Sequence, residues 1–297
     1  MSIRVTDNSR ILAKIYRLIS ILYYYIPYFK GSTRAFRSLL NILPLKIGPV
    51  KHSLGFEWFI HSRESLWTFL VSCEKMTTKQ LIRELVDAQT FICIGANFGW
   101  YPLVSSSIYP NVKTFGFECN SAVRSHFEKN VNYNDFPVSI IASAISDHEG
   151  KLDLFLPIAG NDGMSTLHPM FGPSRQFDFV EKVDCTTLDI YFGNEFSDFG
   201  HTVILMDIEG SEMRALLGGI RFFAVLNPVL ICEVNSGMLE ASGYDHLELF
   251  GSLASAGYKA FWIDERGSLI EVKEPKELPH ALVLPPGTGA NYLFKKH

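Results

Sequence analysis

The chain has 297 residues, 47% of them hydrophobic and 20% charged. That is enough material to bury a sizeable core, and it is too apolar for a disordered or fibrous protein. Five scattered cysteines (Cys73, Cys93, Cys119, Cys185 and Cys232), with no CxxC pair and no HExxH helix, exclude a disulfide scaffold and a Cys/His metal centre, so reduced thiols in a cytoplasm and no metal are expected. Net charge is −4, with no basic stripe interleaved with aromatics, so nucleic acid is not an expected partner.

In chain order, the first 51 residues stand apart. They hold nine Lys or Arg against Asp7 alone, a net +8, which leaves −12 for the rest. Within them Ile11, Ile15, Leu18, Ile19 and Leu22 fall on one face of a helix, with Lys14 and Arg17 off that face. The longest charge-free run within these 51 residues, Leu18 to Phe29, falls well short of the ~20 residues that span a bilayer, so no transmembrane helix is expected there. The stripe is expected to pack on the protein's own domain. The alternative is peripheral contact of residues 10–37 with an anionic membrane surface, at the inner face of a membrane, or with a partner. Residues 1–56 are therefore read as a basic amphipathic helical extension and 57–297 as the main domain.

From residue 90 onward short β-rich runs alternate with helical stretches, the pattern of a parallel sheet covered by helices. The expected strands are Thr90 to Ile94, Val112 to Phe117, Val138 to Ala142, Thr202 to Met206, Pro228 to Val234, Tyr258 to Ile263 and a last one near Asn291 to Phe294. Helices are expected over Ser121 to Tyr133 and Asp245 to Ala256. Pro157 to Asp178 breaks the alternation with three Pro and three Gly, as either a lid over a substrate or a plain surface excursion.

The stretch FICIGANFGWYPL, residues 91 to 103, then reads as a first buried strand followed by a glycine turn and a helix start. Glycines let backbone approach a ligand closely, and a helix N-terminus presents unpaired N–H groups. Glu118 ends the next strand about twenty residues on, where an acid accepts hydrogen bonds from ribose hydroxyls. Asn97 and Trp100 hold the second and third glycine positions of the dinucleotide fingerprint, so a pyrophosphate is poorly served. An amino-acid sulfonium cofactor asks instead for a polar residue such as Asn97 and for carboxylates near a positive sulfur. These are available at Asp207, Glu209 and Glu212 after the fourth strand and at Glu233 after the fifth.

Each candidate has a plainer alternative. Asp207 is a general base, or else a cofactor contact or helix cap. Glu209 and Glu212 hold a substrate hydroxyl or a divalent cation, or form a capping box. Glu233 binds substrate, or is a buried acid paired with a loop N–H. Ser165, Thr166 and His168 bind a glycan, or belong to a solvated turn. Tyr101 and Trp100 wall the pocket, or merely pack the helix.

Together the motifs GANFGWY (95–101), FECN (117–120), AISDHEGKLDL (144–154), VDCTTLD (183–189), DIEGSEMRALLGG (207–219) and ICEVN (231–235) resemble the FkbM-type methyltransferases. The resemblance implies the class I methyltransferase fold, a Rossmann-like seven-stranded sheet with helices on both faces and the last strand antiparallel. It further implies S-adenosylmethionine as cofactor, held at Gly95, Asn97, Gly99, Tyr101, Glu118, Cys119, Asn120, Ser143, Ala144 and Asp207, with Asp207, Glu209 and Glu233 as catalytic candidates. The implied reaction is methyl transfer to a hydroxyl of a sugar, glycan or related natural product, with Ser165, Thr166, His168 and Glu212 toward the acceptor. The family usually carries Asp, Pro and Lys where this chain has Cys93, Cys119 and Met206. A catalytically silent binding protein on the same fold and an NAD-dependent sugar oxidoreductase or epimerase are the alternatives.

Overall fold

A computed structural model describes residues 7–25, 49–71, 74–157, 165–168, 177–276, 278 and 289–296. Its strands are β1 (Val50–Lys51), β2 (Glu57–Trp58), β3 (Thr90–Ile94), β4 (Lys113–Phe117), β5 (Val138–Ile141), β6 (Ala144–Ile145), β7 (Gly150–Pro157), β8 (Phe177–Thr186), β9 (Thr202–Met206), β10 (Val229–Val234), β11 (Lys259–Ile263), β12 (Leu269–Glu271) and β13 (Ala290–Lys295).

The main sheet has the order β12-β11-β13-β10-β9-β3-β4-β5. Strands β10, β9, β3, β4 and β5 pair in parallel, and β13 runs antiparallel to both its neighbours. Seven of the eight strands reproduce the expected class I arrangement. The eighth, β12, is a correction: Leu269–Glu271 folds back antiparallel on β11 at the edge, an exposed three-residue strand without the apolar run that marks a buried one.

Strands β3 and β9 are buried at every residue, which is why they read as continuous apolar runs. Period-two alternation divides those runs between two cores. Ile94, Phe117, Met206 and Cys232 face one, while Phe91, Cys93, Leu205 and Ile231 face the other.

After residue 143 the chain builds a second sheet not expected from the sequence, β6-β8-β7, in which β7 and β8 form a long antiparallel ribbon. Much of the Pro157 to Asp178 stretch lies outside the described residues. Of it, Thr166 makes a bridge to Phe155.

Helix Asp7–Tyr25 docks differently from expectation. It packs through Tyr16 and Ser20, both fully buried, with Leu12, Ala13 and Ile19 beside them, against helix Arg63–Val71 and β1. Of the expected stripe Ile11, Ile15 and Leu18 stay exposed, Ile19 is partly buried, and Leu22 has no described side chain. The helix carries two apolar faces, and the one that presents Tyr16 fits the domain. Among the described residues no helix is long and apolar enough to cross a membrane. The expected boundary at residue 57 cuts the β1–β2 ribbon, where Val50 pairs with Trp58, and the second core runs on from Tyr16 and Val50 into Phe91 and Trp100.

Candidate active site

Strand register builds the site. Ile94 pairs with Met206 and with Phe117, and Met206 pairs with Cys232. The next residue on each strand, Glu118, Gly95, Asp207 and Glu233, therefore arrives at one level along the carboxyl rim. Asn291 of β13 lies opposite Glu233. Strands are ~4.8 Å apart, so four polar side chains and a glycine are lined up side by side.

A cleft partly open to solvent runs along this rim. One end is apolar, with Phe117, Ala144, Ile145, Leu154 and Leu167, and includes Ser143 and Cys119. The other holds Gly95, Asn97, Asp207 and Glu209, with Glu118 between. Gly95 is required by shape: its φ is +83°, and a Cβ there would lie 1.9 Å from the Asp207 carbonyl oxygen. Asn97 also has a left-handed backbone (φ 50°), which lets its N–H donate to Glu118 Oε2 at 2.8 Å, while Asn120 N donates to Glu118 Oε1 at 2.9 Å. Each carboxylate oxygen keeps a lone pair for a further donor.

Several expected residues sit behind the lining. Gly99 packs under Phe127, whose ring a Cβ would meet at 2.1 Å. Tyr101 donates its hydroxyl to Glu74 Oε2 at 3.3 Å. Asn120 caps helix Ser121–Asn134 through Oδ1 and donates Nδ2 to Ser165 Oγ at 3.1 Å. Thr166 donates its hydroxyl to the Glu209 carbonyl at 2.8 Å, so Ser165 to Leu167 are pinned across the cleft, which Ser165 and Leu167 line. His168 is outside the lining. Burial, and then the Arg214 charge, hold its imidazole down to about 4, and its Nε2 is buried without a partner.

Glu212 needs a correction on both expected readings. It is 2% exposed, and its Oε1 accepts N–H groups of Ile208 and Gly210 at 3.3 and 3.1 Å, bracing the turn after Asp207 from within. Ser211 at the helix start makes no side-chain cap, so there is no capping box either.

Glu233, half-buried and outside the cleft lining, brings its carboxyl close to that of Asp207, near enough to share a hydrogen bond with it. Two carboxyl groups share a hydrogen bond only with a proton between them. Burial, then the Asp207 and Glu74 charges, push Glu233 well above the usual carboxylate range. Asp207 is also raised by burial, but the bond from Glu233 lowers it. The proton therefore belongs to Glu233. Asp207 Oδ1 is buried with no hydrogen-bond partner.

Glu74 carries no sequence signal. It precedes helix Lys75–Glu84 in a left-handed conformation (φ 47°) and accepts Asn291 Nδ2 at 2.6 Å as well as Tyr101. Surrounding protein, and then the Asp207 charge, raise it to about 7, although the residue stays open to water, which screens that push. Oxygens of Asp207, Glu209 and Glu233 approach within 4.8 Å of one another, the one such group among the described residues with a spacing suited to a divalent ion. Cys/His spacing does not reveal it, because its members gather only through strand register. Burial raises the Cys119 and Cys232 thiols, so neither is a ready nucleophile.

The chain matches the Methyltransferase FkbM domain over residues 94–260, more than half of its length. It belongs to the FkbM methyltransferase family. Among solved structures, a methyltransferase FkbM from Methylobacillus flagellatus KT is 14% identical with a TM-score of 0.44, over 77% of this chain and 52% of that one. The present chain thus spans about half the length of that protein. A plantazolicin methyltransferase in complex with a monoazolic desmethylPZN analog and SAH is 11% identical, TM-score 0.40, over 99% of both chains. An rRNA methylase from Streptococcus thermophilus is 10% identical, TM-score 0.42, over 75% of this chain and 95% of the other. A search of curated proteins found no match.

The cleft fits S-adenosylmethionine, the expected cofactor. An apolar slot suits a purine, Glu118 has lone pairs to spare, and the glycine turn with carboxylates at the far end suits an amino-acid tail beside a cation. Of the residues that depart from the FkbM pattern, Cys93 and Met206 are fully buried in the two cores and do not line the cleft.

The buried Glu212 and the half-buried Glu118 and Glu233 set a pH dependence. Burial raises Glu118 and Glu212 from the usual 4.5 to about 7, and raises Glu233 further. The folded state then holds these protons longer than the unfolded chain does. The stability they contribute is complete at low pH and is lost as pH climbs through the folded values. Removing one acid should flatten the loss: Glu233→Gln is expected to lose less denaturant resistance than the parent protein between about pH 5 and about pH 8. Parallel curves in paired urea titrations would refute the burial account.

Proposed function

We propose that this protein is an S-adenosylmethionine-dependent O-methyltransferase acting on a hydroxyl of a sugar, glycan or related natural product. The observation that carries the reading is the free, buried Oδ1 of Asp207 at the polar end of the cleft, level with Gly95 and backed by Glu233.

When bound, S-adenosylmethionine supplies a methyl group made electrophilic by its positive sulfur. Glu118 holds the ribose, the backbone at Gly95 and Asn97 receives the amino-acid end, and Ser143 and Ala144 border the adenine. Asp207 takes the proton of the acceptor hydroxyl at Oδ1, work that contributes about 10² to 10⁴ in rate. Glu233 keeps its own proton and donates it to Asp207 in a hydrogen bond, which holds the base in position and leaves it ionised. Glu209 and Ser165 present acceptors and donors to a polyhydroxylated substrate, and Ser165 to Leu167 exclude water from above.

Thermal melting is the direct test. S-adenosylmethionine and its demethylated product, each at about a hundred times its dissociation constant, add roughly 2.7 kcal/mol of stability, whereas NAD adds none. Stabilisation by NAD alone would favour the oxidoreductase reading. No stabilisation by either would favour a silent binding protein. Transfer of one methyl group to a glycoside panel, read by mass, then tests the acceptor class.

A further inference from the structure

The solvent face of helix Asp7–Tyr25 carries a second apolar stripe. Ile11, Ile15 and Leu18 are 57%, 42% and 57% exposed, at the i, i+4, i+7 spacing that stacks side chains along one face. Lys14 and Arg17, both exposed, lie along one flank of that stripe. The opposite face is fixed to the domain through Tyr16 and Ser20, so the stripe is presented ready-formed, without an ordering cost on binding.

Charge selects the occupant. Residues 1–51 carry a net +8 and the remaining chain −12, and on the helix itself the exposed Lys14 and Arg17 border the stripe, so an anionic surface is attracted to this edge. A basic helix edge beside an apolar stripe is the pattern of a helix lying in the plane of a lipid interface. We infer that helix Asp7–Tyr25 seats the protein on an anionic lipid bilayer, with Ile11, Ile15 and Leu18 in the headgroup–acyl boundary and Lys14 and Arg17 among the phosphates. The helix lies on the membrane and does not span it. This attachment holds whether or not the cleft transfers methyl groups.

The test is flotation of the full chain with vesicles of phosphatidylcholine alone or mixed with phosphatidylglycerol. The protein floats with the mixed vesicles, and added salt weakens that binding. Each basic residue near such a surface is worth about 1 kcal/mol, so Lys14→Glu/Arg17→Glu lowers the bound fraction about tenfold or more. Ile15→Asp/Leu18→Asp lowers it comparably, and both double variants keep the parent's circular dichroism and melting temperature because they alter only the solvent side. Failure of the parent protein to float with anionic vesicles overturns the inference, as does equal flotation of the Ile15→Asp/Leu18→Asp variant. A dimer that this variant splits, in a protein that ignores vesicles, assigns the face to self-association instead.

Discussion

Replacing Asp207 by Asn lowers turnover on the acceptor by about 10²- to 10⁴-fold, the usual worth of a positioned general base, while affinity for S-adenosylmethionine changes little. Asn has the shape of Asp and still accepts the hydrogen bond from Glu233, so the rim keeps its geometry. What goes is the lone pair at the buried, unpartnered Oδ1 that is basic enough to take a hydroxyl proton. A buried negative charge also goes, so the variant is no less stable than the parent at neutral pH. Glu233→Gln provides the contrast. Its amide N–H still donates to Asp207 and keeps the base aligned, so its loss is smaller, and the acidic limb of its pH–rate profile moves because the shared proton is gone. Undiminished turnover in Asp207→Asn would remove the base assignment, and equal losses in both variants would mean the pair acts as one unit.

Glu118→Ala weakens cofactor binding by roughly a hundredfold, since two hydrogen bonds to a charged acceptor are worth about 1.5 kcal/mol each or more. Titration calorimetry reads this directly. The kinetic signature is opposite to that of Asp207: KM for the cofactor rises, and kcat at saturation is largely kept. Part of the loss comes through the protein itself. Glu118 accepts N–H groups from both Asn97 and Asn120, so the alanine variant also loosens the glycine turn and the start of helix Ser121–Asn134. The Glu118→Gln variant separates these effects. Its one remaining carbonyl oxygen can still accept one of those N–H groups, but its amide faces a second donor. Unchanged cofactor affinity in a folded Glu118→Ala protein would show that the ribose lies elsewhere.

Much of this arrangement was legible in the amino-acid order. Thr90–Ile94 and Thr202–Met206 appear as strands at their observed bounds, because a strand buried on both faces is an unbroken apolar run that ends where a ligand-facing turn begins. Gly95, Asn97, Glu118 and Asp207 stand just past such runs, so their place at one rim follows from local pattern together with the rule that parallel sheets bind at strand ends.

Other features have no local signature. Glu74 and Asn291 hydrogen-bond across 217 positions of sequence, and neither neighbourhood marks it. Asp207, Glu233 and Glu118 share a level only through inter-strand register, and a slip of one residue would turn each to the opposite face. Glu212 lies in a helix start that reads as a cap, yet its side chain turns inward because the Ile208 and Gly210 N–H groups need an acceptor there. On helix Asp7–Tyr25, periodicity shows an apolar stripe but not which side the domain will take. Tyr16 wins because the surface offered by helix Arg63–Val71 and β1 accommodates it, leaving Ile11, Ile15 and Leu18 outward. Sequence alone marked the strands of the main sheet other than β12, several helices and the glycine turn, since those preferences act over a few neighbouring residues, but not the β6-β8-β7 sheet. Tertiary structure decided which carboxylates meet and which apolar face stays open, because both depend on surfaces that exist only after distant segments have packed.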